Sequence, residues 1–83
     1  MRKEKLELYK ALSDETRYRI LEYLMSGEKA VHEITQHSRR AQSTISLQLR
    51  KLENYGLLTS RRDGKRIFYR IAHDKLQTIH RLL

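Results

Sequence analysis

The sequence predicts a mainly α fold of the α+β class, one small domain of about five helices carrying a two-stranded β-hairpin. Three observations predict it. Apolar residues recur at helical spacing in four stretches before residue 56 and in one after residue 73. Between them lie two β-prone runs flanking Asp63-Gly64, a strong hairpin signal. The 83 residues include no Pro, no linker-like tract and only three isolated Gly, at 27, 56 and 64, each where an apolar period stops. A single domain over 1–83 is therefore expected.

Each element has its own signal. Residues 3–12 place Leu6, Leu8, Tyr9 and Leu12 at helical spacing. Ser13 then offers an N-cap, with Asp14 and Glu15 in the following first turn, where the helix dipole favours negative charge. Tyr18, Ile20, Leu21, Leu24 and Met25 form the stripe of this second helix, and Ser26-Gly27 ends it. A short third helix fits Val31 to His37, with Val31 and Ile34 inward. Residues 38–41 are a tight connection. The fourth helix runs from Gln42 to Tyr55 with Ile45, Leu49 and Leu52 as core positions, and Gly56 suits the left-handed residue that stops it. Residues 60–70 form the hairpin, with one of Phe68 and Tyr69 facing the core. A last, short helix fits 74–83, with Leu76, Ile79, Leu82 and Leu83 apolar. Two helices joined by about four residues and followed by a basic β-ribbon make a winged helix–turn–helix.

Charge points to the partner. The net formal charge is +8. Residues 1–38 hold 7 basic and 7 acidic side chains. Residues 39–70 hold 9 basic and 2 acidic ones, and residues 71–83 add a single positive charge. A solvated helix face usually mixes signs, so this one-sign block reads as an electrostatic footprint for a polyanion. The absence of Cys excludes disulfides, cysteine-based zinc sites and thiol redox sensing. No apolar run approaches the roughly 18–20 residues of a bilayer span, and the charged start is not a signal peptide, so no membrane partner is expected and the default compartment is the cytoplasm.

Two stretches are similar to motifs of the ArsR family of winged-helix repressors. Residues Lys10-Ala-Leu-Ser-Asp-Glu-Thr-Arg-Tyr-Arg-Ile-Leu-Glu-Tyr-Leu24 resemble its "A-L-x-D-x-T-R-x-x-I-L-x-x-L" second helix. Residues Gln42-Ser-Thr-Ile-Ser-Leu-Gln-Leu-Arg-Lys-Leu52, followed by Gly56-Leu57-Leu58, resemble its "Q-S-T-V-S-x-H-L-x-x-L-x-x-x-G-L" recognition helix. The basic wing Arg61-Arg62-Asp63-Gly64-Lys65-Arg66 with Tyr69 also fits, so the likeness covers roughly residues 8–71. The resemblance implies a homodimer that binds operator DNA, often released by a metal or another inducer. Two departures bear on the inducer. The family's "E-L-C-V-C-D-L" metal motif falls on Glu28-Lys-Ala-Val-His-Glu-Ile34, without either thiolate. A family site on the last helix would begin at Asp74, where Leu76 replaces the expected His. No cofactor, metal or small-molecule inducer is evident.

On the fourth helix, at about 100° per residue, the core positions cluster near 280–340° when Gln42 is set at zero. The opposite face carries Ser43, Leu47, Arg50 and Lys51, flanked by Ser46 and Thr44. Candidate base contacts are Gln42, Ser43, Ser46 and Leu47. An amide can pair adenine bidentately, and an apolar side chain can meet a thymine methyl. The alternatives are that Gln42 and Ser43 merely cap the helix and that Leu47 packs on a neighbour. Candidate backbone and wing contacts are Arg39, Arg40, Thr44, Arg50, Lys51, Arg61, Arg62, Lys65 and Arg66. The wing cations also suit an edge strand that must resist aggregation.

Leu6, Tyr9, Leu76, Ile79, Leu82 and Leu83, on the terminal helices, are candidates for a two-fold dimer seam, unless a monomer uses them to cover its own core. A chain this small gains from a second subunit. Such a seam would set two recognition helices about 10–10.5 bp apart on a pseudo-palindrome. The four His read as ordinary surface residues. His32 and His37 lie about 140° apart on a helix, while His73 and His80 lie roughly 10.5 Å apart along one. Glu4, Glu7, Asp14, Glu15, Glu22, Glu28 and Glu33 read as helix-surface ion pairs. With no Gly-rich phosphate loop, nucleophile elbow or His-Glu-x-x-His, an enzyme is not expected. The function expected is sequence-specific DNA binding by a transcriptional regulator, a repressor if it follows the family. A non-specific architectural DNA-binding protein is the alternative, and a protein–protein adaptor fits the basic block less well.

Overall fold

In the computed structural model, residues 3–83 are described, without the side chains of residues 3–5 and 7. The ion-pair expectations for Glu4 and Glu7 therefore lie outside the described residues. The elements are α1 (Lys3–Leu12), α2 (Glu15–Leu24), β1 (Lys29–Ala30), α3 (Val31–Ser38), α4 (Gln42–Asn54), β2 (Leu58–Asp63), β3 (Arg66–Ile71) and α5 (Leu76–Leu82). A single 3-10 turn, His73–Lys75, leads into α5. Five helices and a winged hairpin match the expected class.

The N-cap of α2 differs from expectation. Asp14, not Ser13, caps it: its Oδ1 accepts from the Arg17 backbone N–H at 3.1 Å. Ser13 Oγ instead donates back to the Lys10 carbonyl at 2.7 Å. Both residues can cap, and Ser13 is taken by the end of α1. Asp14→Ala is expected to lower stability by about 1 kcal/mol, read as a shift of the urea midpoint at unchanged slope. Ser13→Ala should move it much less.

The core is one cluster. Ile20, Leu21 and Leu24 of α2, Ile34 of α3, and Ile45, Leu49 and Leu52 of α4 are buried together with Leu57, Leu58, Tyr69 and Ile71. Leu8 and Ala11 bring α1 onto this cluster. Each helix contributes residues three or four apart, the stripe that a 3.6-residue period turns to one side. Val31 and Met25 pack at its edge, half-buried. Of the strand pair in question, Tyr69 is the core residue and Phe68 stays half-buried.

The sheet has one strand more than expected. β1 pairs antiparallel with β3, Lys29 opposite Tyr69 and Ala30 opposite Phe68, giving the order β1-β3-β2. The wing proper is the β2–β3 hairpin, in register from Leu58 opposite Ile71 to Asp63 opposite Arg66. Its two-residue loop is therefore Gly64-Lys65, not Asp63-Gly64. Gly64 has φ +63° and Lys65 a negative φ, the order of a type II′ turn, whose twist matches the strands. The helix–turn–helix turn contains the one described non-glycine residue with positive φ, Arg39 at +59°. It closes α3 by donating its N–H to the Thr35 carbonyl at 3.1 Å.

The acidic residues do more than decorate helices. Glu15 does pair with Arg19 one turn on, at 3.3 Å. Asp14 is a cap, however, and Glu33 Oε1 accepts from the Ala30 N–H at 2.9 Å, holding the start of α3. Glu28 reaches across to the wing. Among the described residues, no helix is long and apolar enough to cross a membrane.

Candidate nucleic-acid interface

The fourth helix presents two faces of opposite character. Ile45, Leu49 and Leu52 are completely buried, while Gln42, Ser43, Thr44, Leu47, Arg50 and Lys51 are exposed and Ser46 is half-buried. Leu47 is 51% exposed. Among the described residues, it is not one of the apolar side chains packed against the core. No side-chain cap bond forms at the start of α4, where Ala41 is the N-cap, so neither Gln42 nor Ser43 is occupied in capping.

Gln42, Ser46 and Arg50, spaced one turn apart, form a ridge between two recesses. One is a shallow surface recess completed by Ser43 and Leu47. The other is a cleft of about 260 Å³ between α4 and the wing, completed at its rim by His32, Lys65 and Arg66. Ala30, Val31, Leu49, Ile67 and Tyr69 give the cleft apolar walls. Burial, with Glu53 nearby, pushes the Tyr69 phenol up, so it stays neutral. Thr44 and Lys51 lie outside both recesses, and Arg39 and Arg40 stand exposed in the turn before α4. The structure thus brings Lys65 and Arg66 of the wing beside α4. Sequence reasoning missed His32 in this company, because the cleft joins residues far apart in the chain.

Arg61 behaves differently from the other wing cations. Its Nε and Nη2 grip both carboxylate oxygens of Glu28 at 2.7–3.0 Å, and its guanidinium lies 4.4 Å from the centre of the Phe68 ring. Arg61 is therefore paired within the protomer and ties the wing to the segment before β1. Among the described residues, Arg62, Lys65 and Arg66 form no ion pair. The hydrogen-bonded Arg61 guanidinium holds the Glu28 carboxyl below its ordinary value of 4.5. A depressed carboxyl stabilises the fold above its unfolded pKa and loses that contribution as pH falls through its folded one. The melting-temperature gap between wild type and Glu28→Gln should accordingly be full at pH 7 and narrow progressively as pH falls below the ordinary carboxyl value of 4.5. Thermal melts from pH 7 to 3 check this.

Arg17 supports α4 from behind. Its Nη2 donates to the Lys10 carbonyl at 3.1 Å, with longer contacts to the Ala11 carbonyl and to Gln48 Oε1 of α4 at 3.4 and 3.5 Å. The end of α1 and the middle of α4 thus meet on one side chain.

The proposed dimer seam is narrower than the sequence suggests. Leu6, Tyr9 and Leu82 are exposed apolar residues. Leu76 and Leu83 are half-buried against the core. Ile79 is completely buried inside the protomer and so cannot present itself to a partner. The helical spacing of α5 does not show which core its apolar side chains fill.

Comparison with known proteins agrees with this geometry. Residues 14–60, from the α2 cap to the start of the wing, match the bacterial regulatory protein, arsR family. The chain is 34% identical over 77 residues to the arsenical resistance operon repressor of Staphylococcus aureus, covering 93% of this chain and 74% of that protein. It is 31% identical over 68 residues to a Streptomyces lividans protein described as "Probable mercury resistance operon repressor", covering 82% of this chain and 54% of that one. The chain thus spans about half the length of the latter. It superimposes with a TM-score of 0.87 and 34% identity on the homodimeric winged helix–turn–helix DNA-binding domain of a "possible ArsR-family transcriptional regulator" from Mycobacterium bovis, over 95% of this chain and 74% of that one.

The residues present do not fit the family's thiolate metal site. Ala30, at the first cysteine position, is buried in β1 and offers no donor, while His32 stands exposed at the second. Among the described residues, no three His, Cys, Asp or Glu side chains converge as a metal ion would require. At the position in α5 where a family ligand would stand, Leu76 packs against the core. The fold, the motif over α2 to α4 and the likeness to solved relatives agree, and the chain belongs to the ArsR family of bacterial regulatory proteins.

Proposed function

We propose that the protein is a homodimeric, sequence-specific transcriptional repressor that reads a pseudo-palindromic operator with α4 and clamps the backbone with its wing. One observation carries this reading: the Gln42, Ser46 and Arg50 ridge, with Leu47 exposed beside it, stands next to Lys65 and Arg66 of the wing. Gln42, Ser43, Ser46 and Leu47 would meet base edges, and Arg39, Arg40, Thr44, Arg50, Lys51, Arg62, Lys65 and Arg66 the phosphates. Arg61, paired with Glu28, positions the wing instead. Leu6, Tyr9 and Leu82, flanked by Leu76 and Leu83, would form the dimer seam. The named repressors among the relatives and the homodimeric Mycobacterium bovis domain support repression and dimerisation. The place of action is the cytoplasm, where a DNA-binding regulator would meet its operator.

Selection of bound DNA from a random pool at fixed salt tests the reading. A palindromic consensus is expected, with half-sites about 10–10.5 bp apart and affinity at least about 10³-fold above that for random DNA. Enrichment of no sequence, with a ratio near unity, would return the architectural alternative. Sedimentation should give twice the 10.0 kDa chain mass.

A further inference from the structure

His32 does not belong to the expected interface, and its neighbours give it a task. It stands exposed in the first turn of α3 and lines the cleft with Gln42, Ser46 and Arg50 of α4 and Lys65 and Arg66 of the wing. A DNA strand that reaches both the recognition helix and the wing tip must cross this cleft. The groups around His32 are almost all positive or neutral. Arg50 faces it from α4, Lys65 and Arg66 from the loop and first residue of β3, and the neutral Tyr69 phenol from the floor. On its own helix the adjacent Glu33 is turned back to hydrogen-bond the Ala30 N–H.

We propose that His32 is a further DNA-contacting residue, donating to a backbone phosphate in the cleft as the imidazolium, so that DNA binding takes up a proton there. The inference rests on the DNA-binding reading above. Arg50, Lys65 and Arg66 line the same cleft. A bound phosphate neutralises them and adds an acceptor, which favours the charged imidazole. An imidazole ordinarily titrates near pH 6.5, so the change falls in the range a cell experiences. By linkage, affinity that depends on the imidazolium falls as pH rises.

The test measures affinity for the selected operator by fluorescence anisotropy between pH 6 and 8 at fixed salt. An imidazole whose pKa rises by one on binding DNA changes the affinity by about tenfold across its titration. The wild type is expected to bind about three- to tenfold more tightly per protomer at pH 6 than at pH 8. His32→Gln should flatten this profile while keeping the same consensus. His32→Arg, permanently charged, should bind tightly at both ends. His37→Gln, altered on the α3 side chain that stacks on Tyr23 at 3.9 Å, should keep the wild-type profile. A His32→Gln protein that retains the wild-type pH dependence, or a wild type with none, overturns the role of His32 and leaves operator binding intact. Absence of operator binding at every pH overturns the DNA-binding reading itself, and the role of His32 with it. Circular dichroism of each variant separates a binding defect from unfolding.

Discussion

Leu49→Ala is expected to destabilise the fold strongly, by about 2–5 kcal/mol. Leu49 is completely buried and lies in the cluster where α2, α3, α4 and the wing strands meet. Truncation removes the transfer free energy of the missing atoms and leaves a cavity that rigid neighbours on several sides cannot fill. An 83-residue domain has roughly 4–12 kcal/mol in total, so a large share of the protein could unfold. The urea midpoint measures this directly. Leu47→Ala, two residues away and 51% exposed, should leave the midpoint within about 0.5 kcal/mol of wild type. It should nevertheless weaken operator binding by roughly 1–3 kcal/mol and relax preference at one base pair. Equal stability losses for the two variants would contradict the division of α4 into a structural and a reading face.

The second large effect is expected at the wing. Lys65→Ala with Arg66→Ala removes two cations beside α4. Each phosphate left without its cation should lower the slope of log affinity against log salt by about 0.9. The double variant should therefore reduce the slope by roughly 1–2 for each protomer engaged, and by twice that in a dimer with both wings on DNA. Binding to operator and to random DNA should fall by similar factors, because phosphates carry no sequence. Arg61→Ala is the informative contrast. Its guanidinium is held by Glu28 and stacked on Phe68, so it should change wing stability more than the salt slope. A slope that is unchanged in the double variant would place the wing away from the phosphates.

Much of this arrangement is legible in the residues. Ile45, Leu49 and Leu52 against Leu47 define the two faces of α4 from spacing alone, because a helix converts sequence period into direction. The hairpin follows from alternation around a glycine that can take positive φ. What escapes is tertiary. Lys29-Ala30 is too short to show alternation and becomes a strand only because β3 offers its free edge. Ile79 and Leu82 share one helical spacing, yet one is sealed in the protomer and the other exposed. Arg61 looks like its basic neighbours until Glu28, distant in sequence, folds onto it. His32 joins the cleft for the same reason. Ser13 and Asp14 compete as caps, and only the end of α1 decides between them.

The contacts of Arg17 have a consequence for operator architecture. One guanidinium touches carbonyls at the end of the helix assigned to the dimer seam and the amide of Gln48 on the reading helix. In a dimer joined through α1, the angle between its two-fold axis and α4 would be braced by this polar strut as well as by the apolar contacts of Leu8 and Ala11. A dimer built this way has little freedom to rotate its reading heads to suit a different gap. Adding one base pair between half-sites turns the second by about a tenth of a helical turn. The protein should therefore discriminate between operators by their spacing as well as by their letters.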